Sequence, residues 1–353
     1  MNLTSDKQSM YMLRAVEIAE RAEWNDVKDN PKVGAVLVYN DTIIGEGYHQ
    51  YSGGPHAEVI CIGSVAEQNK TLIPESTLYV TLEPCCHHGK TPPCSRLIID
   101  SGIRHVVIGV RDPFPKVQGG GIEQLISHGI RVDIDVEKEA CTHLALPFFV
   151  RQLKKRPYVA LKWAESSDGF IDNRTSDAAA YSSPCKISTP FTSMLVHKMR
   201  ADFEAILIGK DTFLKDSPRL DLRLWHGKEP HKLVWSRDAN LFDNQPEHFS
   251  SKRNMWSLFS ADTDSLPSRI EALYAQNGIR SLLVEGGQKV LEAFIKADLW
   301  DEIRIEASNI RLEKGVSSPQ ILHLNKERKE ERLLEKIKEI DGHKITHIIR
   351  LTL

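Results

Sequence analysis

The chain has 353 residues, 41% of them hydrophobic and 27% charged, with a formal net charge of −2. That length exceeds one typical domain and suits two, each able to bury a core, while the composition excludes a disordered chain and the charge offers no basic surface for a polyanion. Six cysteines are too sparse for a disulfide framework and point to metal binding or free thiols in a reducing compartment. The opening MNLTSDKQSM is polar where a secretory signal is apolar, and no apolar run approaches the roughly 20 residues of a membrane span, so a cytoplasmic location is expected.

In chain order, Leu13, Val16, Ala19 and Ala22 recur at helical spacing and predict an amphipathic helix over 7–22 that packs on a sheet. Strands follow at 33–38 and 42–45, a hairpin about Asn40 and Asp41, then at 77–81 and 105–109, with helices at 57–67 and 95–101. A helix at 122–128 and a strand at 130–134 close a first α/β domain, residues 1–150. The run Lys154, Lys155, Arg156 before Pro157 punctuates the chain. A second α/β domain, residues 151–353, has strands at 158–161, 205–209, 232–235, 281–284 and 344–353 and a helix at 190–200. Residues 173–185 read as a loop and the charged run 326–332 as a solvated helical face.

Reactive side chains concentrate in two short stretches. His56 and Glu58 follow Pro55, and Cys85, Cys86 and Cys94 lie in TLEPCCHHGKTPPC. Two residues apart, His56 and Glu58 point about 200° from each other around a helix, so they can share a partner only from a first turn, near the helix end. There the positive end of the dipole favours anionic species. Zinc held by one imidazole and two thiolates is charge-neutral and keeps a fourth position for water. Glu58 beside that water can take its proton and pass it to a leaving amine. His-x-Glu followed by Pro84-Cys85 matches the zinc-deaminase signature, whose second cysteine usually comes three positions later. Here Cys86 is adjacent and Cys94 nine positions on. Vicinal cysteines rarely aim at one centre, and Cys94 precedes a predicted helix whose N-terminus would stabilise its thiolate. His56, Cys85 and Cys94 are therefore the favoured ligands, with Cys86 a buried thiol. Cys61, Cys141 and Cys185 read as core or loop thiols, His87 and His88 as loop-structuring, and Asn30 before Pro31 as a turn residue.

Asn30-Pro-Lys-Val-Gly34, Gly45-Glu-Gly-Tyr-His49, His56-Ala-Glu58 and Glu83 to Cys94 together closely resemble the bifunctional deaminase–reductases of riboflavin biosynthesis, whose own signature has the longer cysteine spacing. The resemblance implies zinc on His56, Cys85 and Cys94, proton shuttling by Glu58, and pyrimidine nucleotide contacts from Asn30, His49 and Lys90.

In the second half, Lys162 to Gly169 alone says hairpin, and Val284-Glu-Gly-Gly-Gln-Lys289 is a strand-to-helix turn whose small residues let a phosphate reach backbone amides. With Gly209 to Thr212 and Asp216 to Arg223 they resemble, in order, the family's reductase domain. The implied fold class is α/β, a cytidine-deaminase-like three-layer domain followed by a dihydrofolate-reductase-like one. By that resemblance Ala164, Lys186, Thr212, Asp216 and Gly287 line an NADPH site, and Arg200, Leu220, Arg223 and Glu285 contact substrate. Arg200 and Arg223 suit a ribose phosphate, since guanidinium groups bind it bidentately. Lys186 departs from the tryptophan that frames the cofactor in many members, and Ser217 and Asp221 depart as well. The implied reactions are zinc-hydroxide deamination of 2,5-diamino-6-(5-phosphoribosylamino)pyrimidin-4-one, then NADPH reduction of the ribosyl group to ribityl. The alternative is a deaminase with a silent reductase-like domain. Small pyrimidine nucleotides are the expected partners, with no nucleic acid and no membrane, and a homo-oligomer is left open.

Overall fold

The amino-terminal periodicity resolves into helix α1 (Leu3–Ala19), which buries Tyr11, Met12, Ala15 and Ile18 along one face. The computed structural model describes residues 3–86, 92–114, 119–174, 185–243, 256–260, 262–321 and 333–351. The chain divides into two compact units, Met1–Lys154 and Lys155–Leu353.

In the first unit, the short helix α2 (Trp24–Val27) precedes the hairpin of β1 (Gly34–Tyr39) and β2 (Thr42–Tyr48). Asn40 and Asp41 at its tip both carry positive φ, 44° and 62°, the left-handed pair of a type I′ turn. Helix α3 (Ala57–Gly63) ends four residues before the expected limit, and a 3-10 stretch, Glu67–Glu75, leads to β3 (Thr77–Leu82). Then come α4 (Cys94–Asp100), β4 (His105–Val110), α5 (Gly120–Ser127), β5 (Arg131–Ile134) and α6 (Lys138–Lys154). The strands form one sheet in the order β2-β1-β3-β4-β5, with β1 antiparallel to both neighbours and β3, β4 and β5 parallel.

Strand alternation sorts this unit into three layers. Ala35, Leu37, Leu78, Val80, Val106 and Ile108 face Ala57 and Cys61 of α3, Ile98 of α4 and Leu125 of α5. Val36, Val38, Tyr79 and Val107 face α1 and the Cys141, Ala145 and Phe149 side of α6. Helix α6 has no counterpart among the expected elements, because Pro147 in its interior interrupts the sequence signal. Two glycines admit close approach: a Cβ at Gly34 would lie 2.0 Å from the Ala15 carbonyl oxygen, and one at Gly47 2.3 Å from the Cys61 nitrogen. They seat α1 and α3 directly on the backbone of the hairpin.

The second unit runs β6 (Tyr158–Glu165), β7 (Phe170–Asp172), α7 (Pro190–Ala201), β8 (Ala205–Gly209), α8 (Lys210–Asp216), β9 (His231–Trp235), β10 (Trp256–Phe259) and α9 (Leu266–Ala275). It continues with β11 (Ser281–Gly286), α10 (Gln288–Lys296), β12 (Glu302–Ala307), β13 (Val316–Ser317), β14 (Leu333–Ile340) and β15 (His343–Arg350). Among the described residues the main sheet is ordered β10-β9-β8-β11-β6-β12-β15-β14, parallel through β12 and antiparallel beyond. Val159, Leu161 and Trp163 of β6 pack with Leu282 and Val284 of β11, Leu291 and Phe294 of α10, and Trp300. Helix α7 starts on a capping box: Thr189 Oγ1 accepts from the Thr192 nitrogen and Thr192 Oγ1 from the Thr189 nitrogen, with Pro190 at the first helical position.

Strands β12 and β14 were not expected, because Glu302, Arg304 and Glu306 put charge where a core strand is apolar, and the charges at Glu335, Lys336, Lys338 and Glu339 come in adjacent pairs that break the two-residue alternation of a half-buried strand. In β12 Glu302 and Glu306 are buried and paired and Arg304 is half-buried beside Glu302, and in β14 the charges lie on an edge strand, where they discourage further pairing. The run 326–332 and most of the 173–185 loop lie outside the described residues. Among the described residues, no helix is long and apolar enough to cross a membrane.

Candidate active sites

His56 is the residue that caps α3, in extended conformation, and Glu58 sits in the helix's first turn, so the two side chains meet at the helix end as their spacing requires. Cys85 follows the end of β3, and Cys94 is the first residue of α4. The three ligand atoms lie within 4.8 Å of one another, with His56 Nδ1 3.2 Å from Cys94 Sγ and 3.6 Å from Cys85 Sγ. Glu58 is 3% exposed, and burial pushes its carboxyl above the usual range. An imidazole and two sulfurs converging at this spacing are a donor set that fits zinc, with no fourth protein ligand among the described residues.

The helix terminus serves the other sulfur from the one expected. The Cys94 amide, at the head of α4, donates to Cys85 Sγ at 3.3 Å. A hydrogen bond from the Cys94 thiol, with further help from His56 and this amide, pulls the Cys85 thiol well below the usual thiol range despite burial. Cys94 is raised instead, because it keeps its proton in that same bond. Cys86 is half-buried, not buried; its sulfur lies 2.7 Å from where a Cβ on Gly120 would stand, and its thiol is raised. Cys61 and Cys141 are fully enclosed and Cys185 is half-buried.

His49, 4% exposed, accompanies the cluster, its ring edge-on to His56 at 5.7 Å. Its Nδ1 lies 2.9 Å from the Pro55 carbonyl oxygen, which accepts only, so Nδ1 carries the proton and Nε2 accepts from Asn30 Nδ2 at 2.9 Å. Burial lowers the ring's pKa and keeps this neutral tautomer. Lys90, His87 and His88 lie outside the described residues. One residue of the motif goes beyond the expected set: the buried Glu83 carboxylate accepts from the backbone nitrogens of Asp112, Gly119, Gly121 and Ile122, at 3.1 to 3.4 Å, and so caps α5.

In the second unit the expected substrate residues meet in part. Arg200 donates to both oxygens of Glu285, Nε at 2.8 Å and Nη2 at 2.7 Å, so its fork is already occupied. Burial raises the Glu285 carboxyl, but Arg200's charge and hydrogen bonds, with Lys162, more than offset it and leave it below the ordinary value. Arg223 is exposed and paired with Asp221, and Leu220 is buried at positive φ, 47°. Lys162, beginning a motif whose sequence says only hairpin, is lowered by burial near Glu285 and Glu306. Glu306 accepts from Thr192 Oγ1 at 2.6 Å, Ser188 Oγ at 2.7 Å and His343 at 2.8 Å.

Of the expected cofactor residues, Thr212 Oγ1 lies 3.2 Å from where a Cβ on Gly287 would stand, and Gly287, φ 62°, caps α10 without a side-chain bond. The head of this nine-residue helix, where no capping side chain meets the first amides, fits a phosphate-bearing dinucleotide. Ala164 is half-buried on β6 opposite Glu306. Asp216 bonds Arg174 at 2.5 Å, a partner no sequence motif marks, and Lys186 is exposed.

Two family models match the chain: the cytidine and deoxycytidylate deaminase zinc-binding region over residues 5–110, and the RibD C-terminal domain over residues 157–308. The chain is 32% identical to the riboflavin biosynthesis protein RibD of Aquifex aeolicus, over 87% of this chain and 88% of that one. It is 34% identical to the RibD of Bacillus amyloliquefaciens, over 89% and 88%. Among solved structures it is similar to the diaminohydroxyphosphoribosylaminopyrimidine deaminase/5-amino-6-(5-phosphoribosylamino)uracil reductase of Thermotoga maritima, 35% identical, covering 98% of this chain and 99% of that one with a TM-score of 0.80. Acinetobacter baumannii RibD is 26% identical with the same coverage and a TM-score of 0.73. The expected α/β class stands, a deaminase zinc-binding region followed by a RibD C-terminal domain. With likeness over nearly the whole length and the His56, Cys85, Cys94 triad assembled in the first unit, the chain belongs to the RibD family of bifunctional riboflavin-biosynthesis deaminase–reductases.

Proposed function

We propose that the first unit hydrolyses the amine of 2,5-diamino-6-(5-phosphoribosylamino)pyrimidin-4-one and that the second reduces the ribosyl group of the deaminated product to ribityl. The observation that carries the reading is the three-ligand triad with a buried carboxylate beside it. Zinc, when held by His56, Cys85 and Cys94, supplies a Lewis acid that activates water at an open fourth position. Glu58 takes a proton from the attacking water and returns it to the exocyclic amine, which leaves as ammonia. Asn30 and His49, locked in one tautomer by Pro55, orient the pyrimidine, with Lys90 reaching the same substrate.

NADPH, when bound, supplies the hydride, and the chain's task is to align its nicotinamide with the sugar carbon. The Gly286–Gly287 turn and Thr212 are suited to the dinucleotide, with Ala164, Asp216 and Lys186 around it. Arg200, Leu220, Arg223 and Glu285 are assigned to the substrate. Glu285, ionised and beside Lys162, suits sugar hydroxyls, and the more exposed Arg223 suits the phosphate. Incubating the purified protein with the diaminopyrimidine nucleotide, with and without NADPH, tests both steps by product mass. Ammonia release without NADPH and a further gain of two hydrogens with it are expected. Release of ammonia with no NADPH consumption would leave a deaminase alone, and no ammonia would refute the reading of the first unit.

A further inference from the structure

On α7, His197 lies three residues before Arg200, a spacing that sets both side chains on one face. It is 3% exposed, and its Nδ1 is enclosed without a hydrogen-bond partner among the described residues. The charged groups close enough for their fields to act on it are Arg200, Arg223, Asp221 and Glu285, residues assigned to or paired within the proposed sugar-phosphate site. Those groups are already matched, Arg200 with Glu285 and Arg223 with Asp221, so none serves the imidazole. An unpaired buried nitrogen is costly, and each one in a native fold calls for a reason, a bound ligand among them. Burial, then Arg200 and Arg223, lower the ring's pKa, so it stays neutral, with one N–H donor and one acceptor.

We propose that His197 is a substrate-binding residue of the reductase site, its imidazole donating a hydrogen bond to an oxygen of the substrate's phosphoribosyl arm. The proposal rests on the reading of the second unit as the reductase. Because the neighbouring guanidinium groups are neutralised by carboxylates, His197 contributes direction without charge, favouring an arm whose oxygen falls at hydrogen-bonding distance.

The test uses the full chain with 5-amino-6-(5-phosphoribosylamino)uracil and with its dephosphorylated form. His197→Phe keeps the ring volume and removes the hydrogen bond, and His197→Gln keeps a donor. For His197→Phe, a KM for the nucleotide raised about tenfold is expected, with kcat, the KM for NADPH and the thermal midpoint little changed, and His197→Gln should recover most of the loss. A loss confined to the phosphorylated form assigns the accepting oxygen to the phosphate, and an equal loss on both forms assigns it to the sugar; either supports the proposal. An unchanged KM in His197→Phe, with a raised thermal midpoint, overturns it and makes His197 a core residue. No binding of either form by the unaltered protein overturns the reading of the reductase site, and this role with it.

Discussion

The backbone nitrogen of Cys94 points at the sulfur of Cys85, 3.3 Å away, so the head of α4 acts on the ligand nine residues upstream. With the Cys85 thiol held below the usual thiol range by the Cys94 thiol, His56 and this amide, Cys85 is the sulfur that gives up its proton first. At pH 6, iodoacetamide should label Cys85 ahead of Cys94, and leave Cys61 and Cys141 untouched, as peptide mass spectrometry will read. Faster labelling of Cys94 would contradict the amide's role.

Glu58→Gln preserves the shape of the carboxyl but cannot take a proton. Zinc content by atomic emission should remain that of the parent, while deamination falls about 10²- to 10⁴-fold. Full activity in this variant would exclude the proton-shuttle assignment.

Asn30 donates to His49 Nε2, and Pro55 accepts from Nδ1, so the ring is fixed at both ends. Asn30→Leu removes one end, worth about 1 kcal/mol. Deaminase KM should rise several-fold with zinc content unchanged; a loss of zinc would instead place Asn30 among the supports of the metal.

Arg200 and Glu285 are a pair with side chains 12% and 9% exposed. Arg200→Met should destabilise the second unit by about 3 to 5 kcal/mol by stranding the carboxylate, and adding Glu285→Met should recover much of that. The pair also sets a pH dependence. Glu285 is held below its ordinary 4.5, so the unfolded chain binds its proton more readily than the folded one. Its stabilisation is full above about 4.5 and fades as the pH falls from there toward the folded-state value. Hydrogen exchange of β11 amides between pH 3 and 6 should show this fade in the parent and lose it in Arg200→Met.

Gly47→Ala would drive a methyl into the backbone of α3 at Cys61, costing about 1 to 3 kcal/mol. Since α3 carries His56 and Glu58, zinc affinity should drop with stability. Unchanged zinc affinity would mean that the helix end does not follow the helix body.

The triad was legible because its chemistry is local: His56 and Glu58 share a helix start, and the cysteines flank one loop. What resisted reading depends on tertiary partners. Cys94's helix does supply an amide to a thiolate, but across space to Cys85, a direction no spacing encodes. Helix α6 hides behind Pro147, and β12 behind buried carboxylates that only Arg304, His343 and Thr192 make tolerable in a sheet. Arg200 reads as an open phosphate fork until Glu285 is seen filling it. Sequence marks His197 only by its helical spacing from Arg200.

Glu83 has a consequence for the metal. Its carboxylate ties the end of β3 to the amides before and within α5, and Ser95, through backbone and side chain, holds the Cys85 carbonyl. The two sulfurs are thus anchored from outside the stretch that joins them. The metal's position is then inherited from the sheet and from the heads of two helices, so it is as steady as the core that holds them.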